Sequence, residues 1–343
     1  MRKLLNTLYV TTPESYLTRE RENVVVRIEN EEKFRIPIHN LEGIVCFGYM
    51  GASPRLMQLC SDNNVSLSFL TPYGKFLARV SGRVRGNVLL RRTQYRKADN
   101  CEESLEIAKS FIIGKIVNCR TVLGRGIRDH GTVINNERVR SVDVLLIENL
   151  LKVEGCDSAG TLRGIEGNCA KFYFVTLDEL ILKQKDDFYL DERNRRPPLD
   201  NMNALLSFLY TLLAHDVESA LETVGLDPYV GFFHTDRPGR ASLALDMMEE
   251  LRPFIADRLA LNLVNLRQIN RGDFLKKENG GVILTEDGRK AVISAWQKRK
   301  QDTITHPYLN EKIPIGLLPY VQAMLMARFL RGDIDGYPPF FMN

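Results

Sequence analysis

The chain has 343 residues, of which 44% are apolar and 26% charged, and a net charge of +4 at neutral pH. This composition excludes a disordered or fibrous chain, and the length predicts two domains rather than one core. No run of eighteen or more apolar residues occurs and M-R-K-L-L-N-T-L-Y-V turns polar too soon for a signal peptide, so a cytoplasmic, membrane-free protein is expected.

From Leu4 to Val80 the chain reads as short β segments at Leu4–Val10, Ser15–Arg19, Val24–Glu29, Lys33–Ile38, Ile44–Phe47, Val65–Leu70 and Phe76–Val80. They are rich in Val, Ile, Phe and Tyr and are separated by Asn, Gly and Pro. One helix is inserted among them, capped by Ser53 and opened by Pro54. Between Ser81 and Asn100, six cations (Arg83, Arg85, Arg91, Arg92, Arg96 and Lys97) stand against the single acid Asp99, a basic linker. Helical spacing then takes over at Leu105, Ala108, Ile112 and Ile116, again at Val144, Ile147 and Leu151, and later over Leu205–Leu213, Leu243–Leu251 and Leu317–Phe329. Asn279-Gly280 predicts a tight hairpin turn. The loop ended by Pro197-Pro198 and the C-terminal G-D-I-D-G-Y-P-P-F-F-M-N are irregular, and the latter is expected to be mobile.

The expected fold class is therefore α+β. A small N-terminal β domain with one inserted helix spans 1–82, a basic linker 83–100, and a larger, mainly α-helical C-terminal domain 101–343. The six cysteines (Cys46, Cys60, Cys101, Cys119, Cys156 and Cys169) include no C-x-x-C pair, which argues against a zinc site or a disulfide framework.

The residues that carry chemistry lie in G-F-F-H-T-D-R-P-G-R-A-S-L-A-L-D-M-M-E-E-L-R-P, Gly231 to Pro253. On the helix opened by Ser242, Leu243, Met247 and Leu251 form a core stripe, and Asp246 and Glu249 are neighbours three residues apart on another side. Taken alone, such acids read as a solvated face. His234 precedes them across a short turn, and a neutral imidazole with carboxylates is a donor set suited to Mn²⁺ or Mg²⁺. Upstream, Glu166 sits between Gly164 and Gly167 within a helical pattern, where glycine costs up to about 1 kcal/mol against alanine and so calls for close approach of a backbone or an anion. Arg237, Arg240 and Arg252 read either as ion-pair partners of the acids or as phosphate clamps. Tyr210 and Tyr229 fit core packing or support of the site. His39, His130, His215 and His306 read as structural or surface residues.

The segments R-G-I-E-G, N-A-L-L-S-F-L-Y-T-L-L, G-L-D-P-Y-V-G-F-F-H and L-A-L-D-M-M-E-E-L-R-P, in this order, resemble CRISPR-associated protein one, the metal-dependent nuclease and integrase that inserts new spacers, in the form found with subtype I-C systems. The resemblance implies one divalent ion, Mn²⁺ or Mg²⁺, held by Glu166, His234 and Glu249, with Asp246 in a supporting catalytic role. It further implies a prokaryotic homodimer formed through the β domains, the small CRISPR-associated protein two as partner, and double-stranded DNA across the assembly. On that reading Arg83, Arg85, Arg91 and Arg92 contact phosphates, which fix position but read little sequence. The rival reading is a noncatalytic DNA-binding scaffold whose acids and arginines pair with one another. A phosphoesterase of small nucleotides is a weaker rival, because the basic linker is too extended for a mononucleotide.

Overall fold

The structure, a computed structural model, describes residues 7–41, 43–48, 50–63, 65–71, 76–80 and 87–342. Its contacts divide the chain into two units, Met1–Gly86 and Asn87–Asn343. The first is built of β1 (Thr7–Val10), β2 (Tyr16–Glu20), β3 (Asn23–Ile28), β4 (Glu31–Pro37), β5 (Gly43–Phe47), β6 (Gly51–Ala52), helix α1 (Pro54–Asp62), β7 (Ser66–Leu70) and β8 (Phe76–Val80). One sheet has the order β1-β5-β7-β8 and the other β4-β3-β2-β6. Strand β5 pairs in parallel with both β1 and β7 and is buried along its whole length, so its sequence G-I-V-C-F is apolar without alternation. Leu17 and Val24 from one sheet, Ile44 and Leu67 from the other, and Leu56 and Leu59 of α1 share a single core. Helix α1 starts as expected, with the Ser53 hydroxyl accepting from Leu56 N and Pro54 in the first turn, where no N–H is needed.

The second unit is mainly helical, with α2 (Val88–Asp99), α3 (Cys101–His130), α4 (Asn136–Glu154), α5 (Ala159–Leu177), α6 (Asn201–Val224), α7 (Ser242–Arg252), α8 (Arg258–Asn265), α9 (Glu286–Gln301) and α10 (Leu318–Arg331). Two hairpins, β9 (Phe274–Lys276) with β10 (Val282–Leu284) and β11 (Thr303–Thr305) with β12 (Lys312–Pro314), flank α9. The first turns at Asn279-Gly280, where Gly280 has φ +78°. Helix α3 runs about 45 Å and packs against α2, α4, α5 and α7. Asn100 caps it by accepting from the amides of Glu102 and Glu103, and those acids face its positive end. Leu105, Ala108, Ile112 and Ile116 are buried along it.

Three expectations change. Of the stretch read as a basic linker over 83–100, Val88–Asp99 forms α2, whose buried Gln94 donates to the carbonyls of Asp227 and Val230 at 2.7 and 2.8 Å. Those bonds tie α2 to the loop leading to His234, so this part of the stretch is a packed element. On α4 the period is helical, but Val144, Ile147 and Leu151 are 54%, 37% and 65% exposed, while Val139, Val142, Leu146 and Val153 face inward. The C-terminal tail, expected to be mobile, is packed. Tyr337, Phe340 and Met342 are buried, the Phe340 amide donates to Glu250 Oε2 at 2.8 Å, and the Met342 amide donates to Asn118 Oδ1 at 2.7 Å. A buried carboxylate on α7 needs donors, and the tail supplies them.

Phe340→Ala is therefore expected to destabilise the unit by about 3–5 kcal/mol in urea unfolding. Phe341→Ala, at a side chain 36% exposed, is expected to change stability by no more than about 0.5 kcal/mol. Equal small effects would show that the tail does not pack.

Candidate metal centre

Helix α7 places Asp246, Glu249 and Glu250 inside the protein, each under 3% exposed, so the acids that read as a solvated face are a buried one. Each has its own partners. Asp246 accepts the backbone amides of Phe232 and Phe233 on Oδ2 at 2.7 and 3.0 Å, and that of His234 on Oδ1 at 2.9 Å. The same Oδ1 lies 2.6 Å from His234 Nδ1. A charged carboxylate then fixes Nδ1–H as the donor and leaves Nε2 as the free nitrogen, the arrangement by which carboxylates orient metal-binding histidines. Gly231 makes this possible, since a Cβ there would meet Asp246 Oδ2 at 2.6 Å.

Glu249, one turn on, faces two cations. Its Oε1 accepts from Arg252 at 2.5 Å and its Oε2 lies 2.7 Å from the ammonium of Lys115 on α3. Burial alone would raise this carboxyl, but Arg252 and Lys115, with His234 adding to them, outweigh it and hold it at about 2. Lys115 also contacts Glu166 Oε1 on α5, so one buried ammonium bridges the two glutamates. Burial works against its charge, yet Glu249 and Glu166 more than compensate and raise its pKa. Gly114 brings α3 this close to α7, because a Cβ at that position would stand 2.9 Å from that of Glu250. Behind Arg252, the Tyr210 ring lies 4.9 Å from its guanidinium carbon, and the Tyr210 and Tyr173 hydroxyls donate to buried Asp257 at 2.7 and 2.9 Å. Asp257 lies in a π turn over Pro253–Asp257, where Pro253 has no N–H to continue the α ladder.

Glu166 and Glu249 thus share a cation, and His234 is held one helical turn from Glu249. Among the described residues no three His, Cys, Asp or Glu side chains close into a metal-holding group, because the Lys115 ammonium stands between the two carboxylates. The donors nevertheless fit a hard divalent ion. They offer two carboxylates and one imidazole nitrogen, and among the described residues buried Glu249 Oε2 is met only by the Lys115 ammonium, a cation at the place an ion would take. Around them, burial and the neighbouring guanidiniums of Arg237, Arg196 and Arg163 lower the pKa of Arg240. None of these four arginines has a carboxylate partner among the described residues. Arg163 also reaches from α5 to the Phe233 carbonyl at 3.3 Å.

Of the other arginines singled out in the sequence, Arg252 is an ion-pair partner, Arg92 is exposed on α2, Arg91 is half-buried there, and Arg83 and Arg85 lie outside the described residues. Tyr229 is 42% exposed with its hydroxyl 3.3 Å from Glu218. His39 and His130 are exposed, His215 is half-buried, and His306 is buried against Gln322. Sequence reading missed Lys115, Arg163 and Arg196. Lys115 had a signal, a lysine beside glycine within the apolar run F-I-I-G-K-I-V; Arg196 is brought in by a loop and had none.

Asp246→Ala would strand three backbone donors and release the imidazole. It is expected to cost about 3 kcal/mol of stability in urea unfolding and to weaken Mn²⁺ binding roughly 10–100-fold by titration calorimetry. The pH dependence has a definite sign. The folded pKa of Glu249, about 2, lies below the ordinary 4.5, so its contribution is full above 4.5 and is lost as pH falls through 2. Glu249→Gln should remove that part of the acid-unfolding slope, and an unaltered slope would mean that the carboxylate is not paired in the native state.

The comparisons with known proteins agree with this arrangement of elements. The chain matches the family model "CRISPR associated protein Cas1" over residues 8–298. A CRISPR-associated endonuclease Cas1 1 of Chlorobaculum tepidum is 50% identical over 340 residues, covering 99% of this chain and 99% of that protein. Among solved structures, a CAS1 protein from Thermotoga maritima aligns with a TM-score of 0.81 at 25% identity, covering 95% of this chain and 97% of that one. A chain of a Cas6-RT-Cas1–Cas2 complex has the same fold, with a TM-score of 0.82 at 20% identity, 98% of this chain and 36% of that chain being covered. With most of its length inside the family model and half its residues shared with a full-length relative, the chain belongs to the Cas1 family of CRISPR-associated endonucleases.

Proposed function

We propose that the chain is a divalent-metal-dependent DNA endonuclease and integrase, which inserts captured fragments as new spacers into a CRISPR array by attack of 3′-hydroxyls on the repeat backbone. Two observations support this reading: Glu166 and Glu249 share the Lys115 ammonium, and Asp246, one turn from Glu249 on α7, holds the His234 imidazole by Nδ1 while Nε2 has no partner among the described residues. Glu166, His234 and Glu249 would hold Mn²⁺ or Mg²⁺. Bound there, the ion would stabilise charge on the scissile phosphate and lower the pKa of the attacking 3′-hydroxyl or water.

The protein's own groups have separable tasks. Asp246 fixes the imidazole, and Arg252 keeps Glu249 anionic. Lys115 holds the two glutamates together and, on giving way, has the charge and reach to meet a phosphate oxygen. Arg163, Arg196, Arg237 and Arg240 form the cationic rim for neighbouring phosphates. On α5, nothing among the described residues lies within 4 Å of the position a Cβ would take at Gly164 or Gly167, so the space beside Glu166 there is open. That leaves room for a phosphodiester. Arg83, Arg85, Arg91 and Arg92 are proposed as further DNA contacts. The homodimer through residues 1–82, the association with Cas2, the cytoplasmic location and the I-C subtype are proposed on the signature segments, and the Cas2 association also on the likeness to the Cas1–Cas2 complex chain.

The scaffold reading has one observation in its favour, the pairing of Glu249 with Lys115 and Arg252. It gives no task to a histidine held as firmly as His234. Nicking of branched DNA and strand transfer with Mn²⁺ test the two. Glu166→Ala and His234→Ala are each expected to lower the rate roughly a hundredfold or more, and EDTA to abolish it while DNA binding persists. Full strand transfer by either folded variant, or cleavage indifferent to EDTA, would overturn the assignment.

A further inference from the structure

Helix α3 leads from the glutamates to a second cationic place. Arg125 lies about 15 Å beyond Lys115 along the helix and lines an open cavity of about 470 Å³ together with Arg258 of α8, Arg299 of α9, Phe254 and Phe341. The Phe254 ring organises two of the cations, with the guanidinium carbons of Arg258 and Arg299 at 5.8 and 5.1 Å from its centroid. Arg299 pairs with Asp302 at 3.1 Å, and Arg258 has no carboxylate partner among the described residues. Burial, with Arg299 and Arg125 nearby, pulls the Arg258 pKa down to about 10. Two guanidiniums against one aromatic ring, with Arg125 lining the same cavity, repel one another, and an anion entering the cavity relieves that repulsion.

The tail completes the cavity. Phe340 and Met342 are buried and anchored, and Phe341 between them is left 36% exposed. An aromatic face fixed by its neighbours beside an unpaired guanidinium suits a ligand that joins a phosphate to a flat, partly apolar group. The volume lies in the range of sites for a single small molecule. It is of a size for one nucleotide, and the bases of a duplex are in any case stacked away from such a ring.

We propose that this cavity is a nucleotide site, in which Arg258 and Arg299 take a phosphate and Phe341 takes the attached base of unpaired DNA. It is a site separate from the glutamates and depends on the proposed function only for DNA being the ligand. A free nucleotide carries the same chemistry, and the test separates the two sources.

The full-length protein, kept in EDTA at physiological salt, is titrated against a fluorescently labelled single-stranded oligonucleotide by anisotropy, with dAMP as competitor. Arg258→Gln and Phe341→Ala are each expected to weaken oligonucleotide binding about tenfold, with urea unfolding confirming that both fold. Phe341→Ala removes an exposed ring and so guards against a folding artefact at Arg258. Displacement of the oligonucleotide by dAMP assigns the site to a free nucleotide, and its failure to compete assigns it to a strand; both outcomes uphold a phosphate-and-base site. Binding by both variants within about twofold of the parent overturns it. The titration is run in EDTA, so loss of the metal reading and loss of this one give different results.

Discussion

The helical unit is organised around one desolvated carboxylate. Glu249 sits inside the protein, where an isolated charge would cost several kcal/mol, and it stays ionised because Arg252 and Lys115 lie at 2.5 and 2.7 Å. That requirement propagates outward. Lys115 can reach Glu249 only because Gly114 lets α3 close on α7, and Arg252 is held against the Tyr210 ring, whose hydroxyl is fixed by Asp257. The same ammonium draws in Glu166 from α5, so three helices meet at one ammonium between two carboxylates.

Three acids within five residues of α7 end in three electrostatic states, which is how one element separates structural from chemical duties. Asp246 is spent on backbone amides and the imidazole. Glu249 is held at about 2 against the opposing effect of burial. Glu250 has no cation, and burial pushes it to about 7 despite hydrogen bonds from Tyr337, Gln322 and the Phe340 amide. Glu250 therefore anchors the tail, whereas Glu249 keeps a negative charge that a cation can use. The order follows from the helix: Asp246 and Glu249 share one side, and Glu250 turns toward α10 and the tail.

Much of the fold was legible because it rests on local rules. Ser53-Pro54, the strands of the first unit other than β6, the periodic stripe of α3 and the Asn279-Gly280 turn all appear where local chemistry puts them, the Leu4–Asn6 part of the first strand lying outside the described residues. What failed was of another kind. The period of Val144, Ile147 and Leu151 is helical, but period does not say which side of a helix finds partners. The tail reads as irregular because its order comes from Glu250 and Asn118, more than eighty residues away. At the site, Glu166, His234, Asp246 and Glu249 were legible as residue types, and Lys115 was missed: its one signal, a lone lysine beside glycine in an apolar run, gains meaning only from the carboxylates folded against it. Of the two readings of Gly164 and Gly167, close approach of another backbone or of an anion, the first finds no such neighbour among the described residues.

That open face bears on what the site is for. A scaffold that used its acids only to neutralise its arginines would pair them all, and here the pairing is uneven. Arg252 and Lys115 are consumed within the protein, while Arg237, Arg196 and Arg163 lie near enough to Arg240 to lower its pKa, and none of the four has a carboxylate partner among the described residues. Crowded guanidiniums destabilise a fold unless an anion joins them. Their number exceeds what a mononucleotide needs and suits a ligand that presents successive phosphates. Set beside the open Cβ positions of Gly164 and Gly167 and an imidazole whose Nδ1 is engaged, they are the observations on which the proposed DNA site rests.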